Sequence, residues 1–185
     1  TVLKTTYTQY DGKRNTQNAL RRGHKEAGFQ YVRAHNIFGE DVGIYKETNG
    51  VVSYNWTKMD SIYDAIIATG MRPFVELSYM PKQLASGTAE APHWYDMNKG
   101  YTNPPKDNNK YRDLITEMVK HLIQRYGLDE VRNNWLFEVY NEPDLFLSAS
   151  PSQSTYFKMY DYASEGVRLA DSLCKVGGPS VSGSN

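Results

Sequence analysis

The sequence predicts an α/β fold of the (β/α)8 TIM-barrel kind, with this 185-residue chain covering roughly the first half. Three observations predict it. Strand-like and helix-like segments alternate, as in βαβ units on a parallel sheet. No strand is followed by the Gly-rich phosphate-binding turn that would favour an open doubly wound sheet. Side chains capable of chemistry gather after strand ends, where barrels place them.

The elements follow from local patterns. Any first strand must lie within Thr1 to Gly12, where it is poorly marked. Asn15 to Ala27 reads as a polar helix ended near Gly28. Phe29 to His35 is a short strand, and Gly39 to Tyr54 is a long loop with three glycines. Thr57 caps a helix through Thr69, with Ile62, Ile66 and Thr69 on one face and Gly70 as its stop. Arg72 to Tyr79 is the next strand.

Met80 to Asn109 has little periodicity and holds Pro81, Gly87, Pro92, Gly100, Pro104 and Pro105. A loop of about thirty residues in a compact domain is usually functional or disordered. Its aromatics (His93, Trp94, Tyr95, Tyr101) favour a functional loop. Lys110 to Tyr126 is the clearest helix: Tyr111, Leu114, Ile115, Met118, Val119, Leu122, Ile123 and Tyr126 follow the helical repeat, and Gly127 ends it. Trp135 to Tyr140 is a strand, Ser154 to Leu173 a helix, and Val176 to Val181 opens a last strand.

Composition narrows the function classes. Lys plus Arg and Asp plus Glu both number 21, so the net charge is zero. No basic stripe points to nucleic acid. No stretch approaches a membrane span, and Thr1 to Lys13 lacks a signal-peptide core, which leaves secreted and cytoplasmic locations both open. The lone Cys174 excludes an intrachain disulfide and a Cys-based zinc site. His24, His93 and His121 have no metal-ligand spacing, so neither a metal nor another cofactor is expected. Fifteen Tyr and three Trp exceed what a core needs, leaving some for sugar-stacking surfaces or interlayer packing.

The most informative stretch is Trp135 to Asp144. It reads as a buried strand ending in a carboxamide, a carboxylate and a proline. Pro143 holds Glu142 to extended geometry and contributes no backbone donor, which stops the strand. Asn141 and Glu142 are thereby left at the rim. A carboxylic acid there can protonate a leaving oxygen, and its amide neighbour can hold a substrate hydroxyl.

Alternation along strands extends the candidate set. Glu142 pointing into the mouth would place Tyr140 and Glu138 on its side, with Trp135, Phe137 and Val139 facing the helices. Arg33 and His35 share one side of their strand; Glu76 shares a side with Phe74 and Ser78. Arg33, Glu76 and Glu138 then form a polar layer beneath the rim, where buried carboxylates need a cation. The bland reading is an internal ion network; the functional one gives Arg33 a supporting role beside a catalytic carboxylate. His35 closes its strand at the rim and is a candidate substrate contact.

With these residues in hand, the chain resembles glycoside hydrolase family 39, which contains β-xylosidases and α-L-iduronidases on TIM-barrel catalytic domains. The matching segments are YVRAHNIFGEDVGIY (31–45), SYNWTKMDSIYDAI (53–66), GMRPFVELSYMPKQLASG (70–87), NPPKD (103–107), RYGLDEVRNNWLFEVYNEPDL (125–145) and KVGGPSV (175–181). The resemblance implies that residues 1–185 are the N-terminal part of a glycosidase catalytic domain. It implies Glu142 as general acid/base, Asn141 as partner of the sugar 2-hydroxyl, and His35 and Trp94 as sugar contacts. Iduronidases carry a histidine just after the NEPD stretch, where this chain has Leu145, which favours the β-xylosidase branch.

The resemblance further implies retaining hydrolysis by two carboxylates, on a xylo-oligosaccharide or related glycoside. The nucleophile belongs after the seventh strand, outside these residues, so the chain alone is expected to be inactive. A half barrel exposes strand edges, so self-association or a complementing half is a further expectation. The competing readings are a non-catalytic carbohydrate-binding protein and an engineered half-barrel scaffold.

Overall fold

The computed structural model describes residues 12–91 and 100–183. Its centre is a four-stranded parallel sheet. Strand β1 (Tyr31–Ala34) pairs with β4 (Arg72–Leu77), β4 with β5 (Leu136–Val139), and β5 with β6 (Lys175–Gly177). Helices join each strand to its parallel neighbour: α2 (Thr57–Ile67) lies between β1 and β4. Helices α3 (Asn108–Tyr126) and α4 (Leu128–Asn134) lie between β4 and β5, and α5 (Pro143–Phe146) and α6 (Ser152–Ala170) between β5 and β6. Sequential parallel strands with intervening helices make one arc of a (β/α)8 barrel.

The polar helix, α1 (Gly12–Ala27), ends at Gly28, whose φ of 72° suits a glycine stop. The position for an earlier strand, Thr1 to Gly12, lies almost wholly outside the described residues. Two expectations fail in informative ways. Gly39 to Tyr54 contains an antiparallel hairpin, β2 (Tyr45–Thr48) and β3 (Val51–Tyr54). Its turn is Asn49–Gly50, with φ of 51° and 80° at the two residues, and an Asn-Gly pair is a strong signal for such a turn. Thr57 is the first helical residue rather than the cap, and the Asn55 side chain accepts its amide proton at 3.1 Å.

Helix α3 begins at Asn108, two residues before the expected start at Lys110, because Asp107 caps it, accepting from the amides of Asn109 and Lys110 at 2.9 and 3.1 Å. The short α4 fills the stretch between Gly127 and the strand. Its Glu130 side chain accepts from the Trp135 indole at 3.3 Å. Trp135 itself is fully buried, edge-on to Tyr63 and tilted against Tyr126. Helices α3 and α6 pack closely: Thr116 donates to the carbonyl of Gly166 at 3.1 Å. These helices cover the outer face of the sheet, and Arg33, Glu76 and Glu138 lie on its inner face with Phe74 and Leu136.

The long segment after β4 folds back on itself through isolated β-bridges. Met80 and Glu90 both bridge to Tyr101, and Ala85 bridges to Pro105. His93, Trp94 and Tyr95 lie outside the described residues.

Candidate active site

The inner face of the sheet carries charge in a fixed register. Glu76 of β4 stands directly opposite Glu138 of β5. Like charges facing each other across strands are unfavourable. Arg33 of β1 resolves the conflict: its Nη1 lies 2.8 Å from Glu76 Oε2 and its Nε lies 2.5 Å from Glu138 Oε2. His35 Nδ1 also reaches Glu76 Oε2, at 2.6 Å, and Ser78 donates its hydroxyl proton to the other oxygen of Glu76. Arg33 and His35 approach Glu76 Oε2 at ion-pair distance without the alignment of a hydrogen bond. The Glu76 side chain is wholly buried, so these contacts replace water around its charge.

The strand end departs from simple alternation. Tyr140 has φ of 68° and Glu142 φ of 43°, both left-handed. Pro143 is the first residue of α5, and Glu142 is the residue before it, taking left-handed rather than the expected extended geometry. The period of two therefore stops at Val139. Tyr140 does not line up with Glu138 and Glu142; it turns into the core, edge-on to Tyr79, and donates its hydroxyl to the Thr102 carbonyl at 3.0 Å. Burial pushes its phenol well above the ordinary value, which keeps it a neutral donor.

Asn141 takes the inward position that strict alternation assigns to Tyr140, beside Arg33. Arg33 Nη2 donates to Asn141 Oδ1 at 3.0 Å, and Asn141 Nδ2 donates to the Tyr79 hydroxyl at 3.2 Å. Arg33 thus links Glu76, Glu138 and Asn141. Glu142 is half-buried. Its backbone amide donates to the Ser180 carbonyl at 2.8 Å, while its own carbonyl accepts from Leu145 and Phe146. Asp144 holds the same loop from the other side, accepting from the Ser182 amide at 2.9 Å and the Ser182 hydroxyl at 2.7 Å. Burial raises the Asp144 carboxyl, but the bonds from Ser182 and nearby amides outweigh it, and its pKa lies below the usual value.

Chemically, the rim presents one half-buried carboxylic acid beside a carboxamide held at both ends. Arg33, His35, Asn141 and Glu142 come to one end of the sheet; Trp94 lies outside the described residues. Tyr79 and Ser180 were not singled out from the sequence. Tyr79 stands just past the end of β4, and a strand-end aromatic was the available signal. Ser180 acts through its backbone, which leaves no signal in residue type.

A family model described as glycosyl hydrolases family 39 matches residues 3–185. The chain belongs to glycosyl hydrolase family 39. It is 44% identical over 164 residues to a β-xylosidase of Geobacillus stearothermophilus, covering 86% of this chain and 32% of that protein. It is 29% identical over 154 residues to the α-L-iduronidase of Homo sapiens, covering 82% of this chain and 21% of that one. The crystal structure of a monomeric β-xylosidase from Caulobacter crescentus CB15 matches with a TM-score of 0.81 at 38% identity, covering 94% of this chain and 35% of the other. This family 39 chain spans about a third of the length of the β-xylosidases it resembles. Within the family it lies nearer the β-xylosidases than the iduronidases.

Proposed function

We propose that this chain forms the acid/base portion of a retaining glycoside hydrolase with β-xylosidase-like specificity. The single observation that carries the reading is the pairing at the end of β5: a half-buried Glu142 follows an Asn141 whose carboxamide is held by Arg33 and Tyr79. Glu142 would protonate the glycosidic oxygen, then act as base toward water in the second step. Asn141 would bond the sugar 2-hydroxyl, a contact that strengthens in the transition state. His35 would line the sugar subsite, and Trp94 would contact the sugar from the long loop. The β-xylosidase relatives favour a xylo-oligosaccharide or related glycoside as substrate.

The nucleophile is assigned to a carboxylate outside residues 1–185. Glu76 and Glu138 are poor candidates, because both are already committed to Arg33. The 185-residue chain on its own should therefore show no appreciable turnover. The test uses a full-length barrel carrying this segment. Glu142→Gln should spare aryl xylosides with good leaving groups far more than those with poor ones. Equal losses for both would remove Glu142 from the acid role. Turnover of an aryl xyloside by residues 1–185 alone, at the rate of the full barrel, would refute the placement of the nucleophile.

A further inference from the structure

We propose that Tyr79 is the positioning residue that fixes the carboxamide of Asn141 for sugar recognition. The proposal rests on the reading of Asn141 as a sugar contact and adds the residue that aims it. An asparagine amide has two nearly isosteric orientations, one with oxygen and nitrogen exchanged. Arg33 selects between them. A guanidinium has only donors, so the atom it meets at 3.0 Å must be the amide oxygen. The nitrogen then faces the Tyr79 hydroxyl, 3.2 Å away, and a phenol oxygen accepts from it. One partner sets the polarity of the amide and the other closes its remaining swing.

Tyr79 is itself rigidly placed. Its ring is fully buried, edge-on to Tyr140 at 5.4 Å and to Phe146 at 6.1 Å. Its backbone amide donates to the side chain of the buried Asn36 at 3.2 Å. The space beside it is closed by backbone as well: a Cβ on Gly100 would come within 2.7 Å of the Tyr79 ring. The phenol oxygen therefore sits on a wall that does not relax when Asn141 engages a ligand. One nitrogen proton and one oxygen lone pair of Asn141 are left for a sugar hydroxyl, in directions set by the two bonds already made.

The consequence is selective. Removing the phenol oxygen leaves the ring packing in place and takes away the acceptor that holds the Asn141 amide. Substrates that use the 2-hydroxyl should suffer, and substrates lacking it should not.

Two measurements test this. By NMR on a full-length barrel carrying this segment, the Nδ2 protons of Asn141 should exchange with solvent far more slowly than those of the exposed Asn109, and Tyr79→Phe should bring the two rates closer. Exchange at Asn141 as fast as at Asn109 in the unsubstituted barrel would overturn the proposal, whether or not the variant folds. In a full-length barrel carrying this segment, Tyr79→Phe should lower kcat about tenfold on an aryl β-xyloside, the loss of one hydrogen bond, with little change in KM. The 2-deoxy analogue should be hydrolysed by the variant and the unsubstituted barrel alike. Equal losses on both substrates would mark Tyr79 as merely structural and overturn the proposal. Failure of the unsubstituted barrel to hydrolyse either substrate would instead reject the glycosidase reading, and the NMR result would decide the role of Tyr79 alone.

Discussion

Glu76 and Glu138 face each other across neighbouring parallel strands, and a single guanidinium from a third strand answers both. The pair explains why an arginine is tolerated on the inner face of the sheet. Without it, two like charges would sit opposite each other, one of them wholly buried. Because the same arginine also bonds Asn141, the stability of the sheet and the geometry of the rim depend on one side chain.

Arg33→Ala is expected to destabilise the chain by about 3–5 kcal/mol, the usual cost of leaving a buried charge without its partner. Arg33→Lys should recover only part of that, because an ammonium is a point charge and cannot span three acceptors with a planar fork. Urea unfolding followed by circular dichroism gives both values. A midpoint for Arg33→Ala close to that of the unsubstituted chain would show that the network carries no stability.

Gly166→Ala sets two effects against each other. Alanine is favoured over glycine in a helix interior by about 1 kcal/mol. Here, however, the new Cβ would lie 2.7 Å from the Arg112 carbonyl and 3.1 Å from the Ile115 Cβ, both on α3. Overpacking of this kind costs about 1–3 kcal/mol, and backbone cannot swing aside as a flexible side chain can. The expected net result is destabilisation, read as a lower thermal midpoint. A rise in the midpoint would mean that α3 and α6 separate easily.

Acid should weaken the fold through Asp171. Arg132 donates to it twice, at 3.0 and 2.6 Å, and this pairing holds its carboxyl below the usual carboxylate range against a smaller opposing effect of burial. A depressed folded pKa means that the unfolded chain binds the proton more readily. The contribution to stability is therefore complete above the unfolded pKa, about 3.9 for an aspartate, and is lost as pH falls through the folded value. Asp171→Asn should lower stability at neutral pH and converge with the unsubstituted chain at low pH. Urea midpoints measured across that range check it; parallel curves would exclude the linkage.

The parts of the fold that could be read from the sequence were those set by periodicity. The apolar repeat from Tyr111 to Tyr126 and the alternation through Phe137, Glu138 and Val139 depend on local geometry alone. So did the grouping of Arg33, Glu76 and Glu138, which needs only strands in parallel register. Alternation breaks at Tyr140 without warning in the sequence, because a left-handed backbone at a non-glycine residue leaves no mark in residue type. The Asn49–Gly50 hairpin was available and hidden, since its flanking strands are short and half exposed. Tyr79 carries the signal of a strand-end aromatic, but its tie to Asn141 depends on β4 and β5 lying side by side.

The loop after β6 should control how firmly Glu142 is held. The Glu142 amide donates to the Ser180 carbonyl, and two residues further along each chain segment Asp144 accepts from the amide and hydroxyl of Ser182. These two links join the segment after β5 to the segment after β6, so breaking one should loosen the other. Asp144→Ala removes every bond to Ser182 while leaving Glu142 and Ser180 untouched. The Glu142 amide should then exchange with solvent about tenfold faster, corresponding to roughly one lost net hydrogen bond in local opening. Asp144→Asn keeps an acceptor oxygen and should restore much of the protection. The sheet itself provides the control, because amides within β4 and β5 should exchange as before. Unchanged exchange at Glu142 in Asp144→Ala would show that the acid is positioned by β5 and α5 alone.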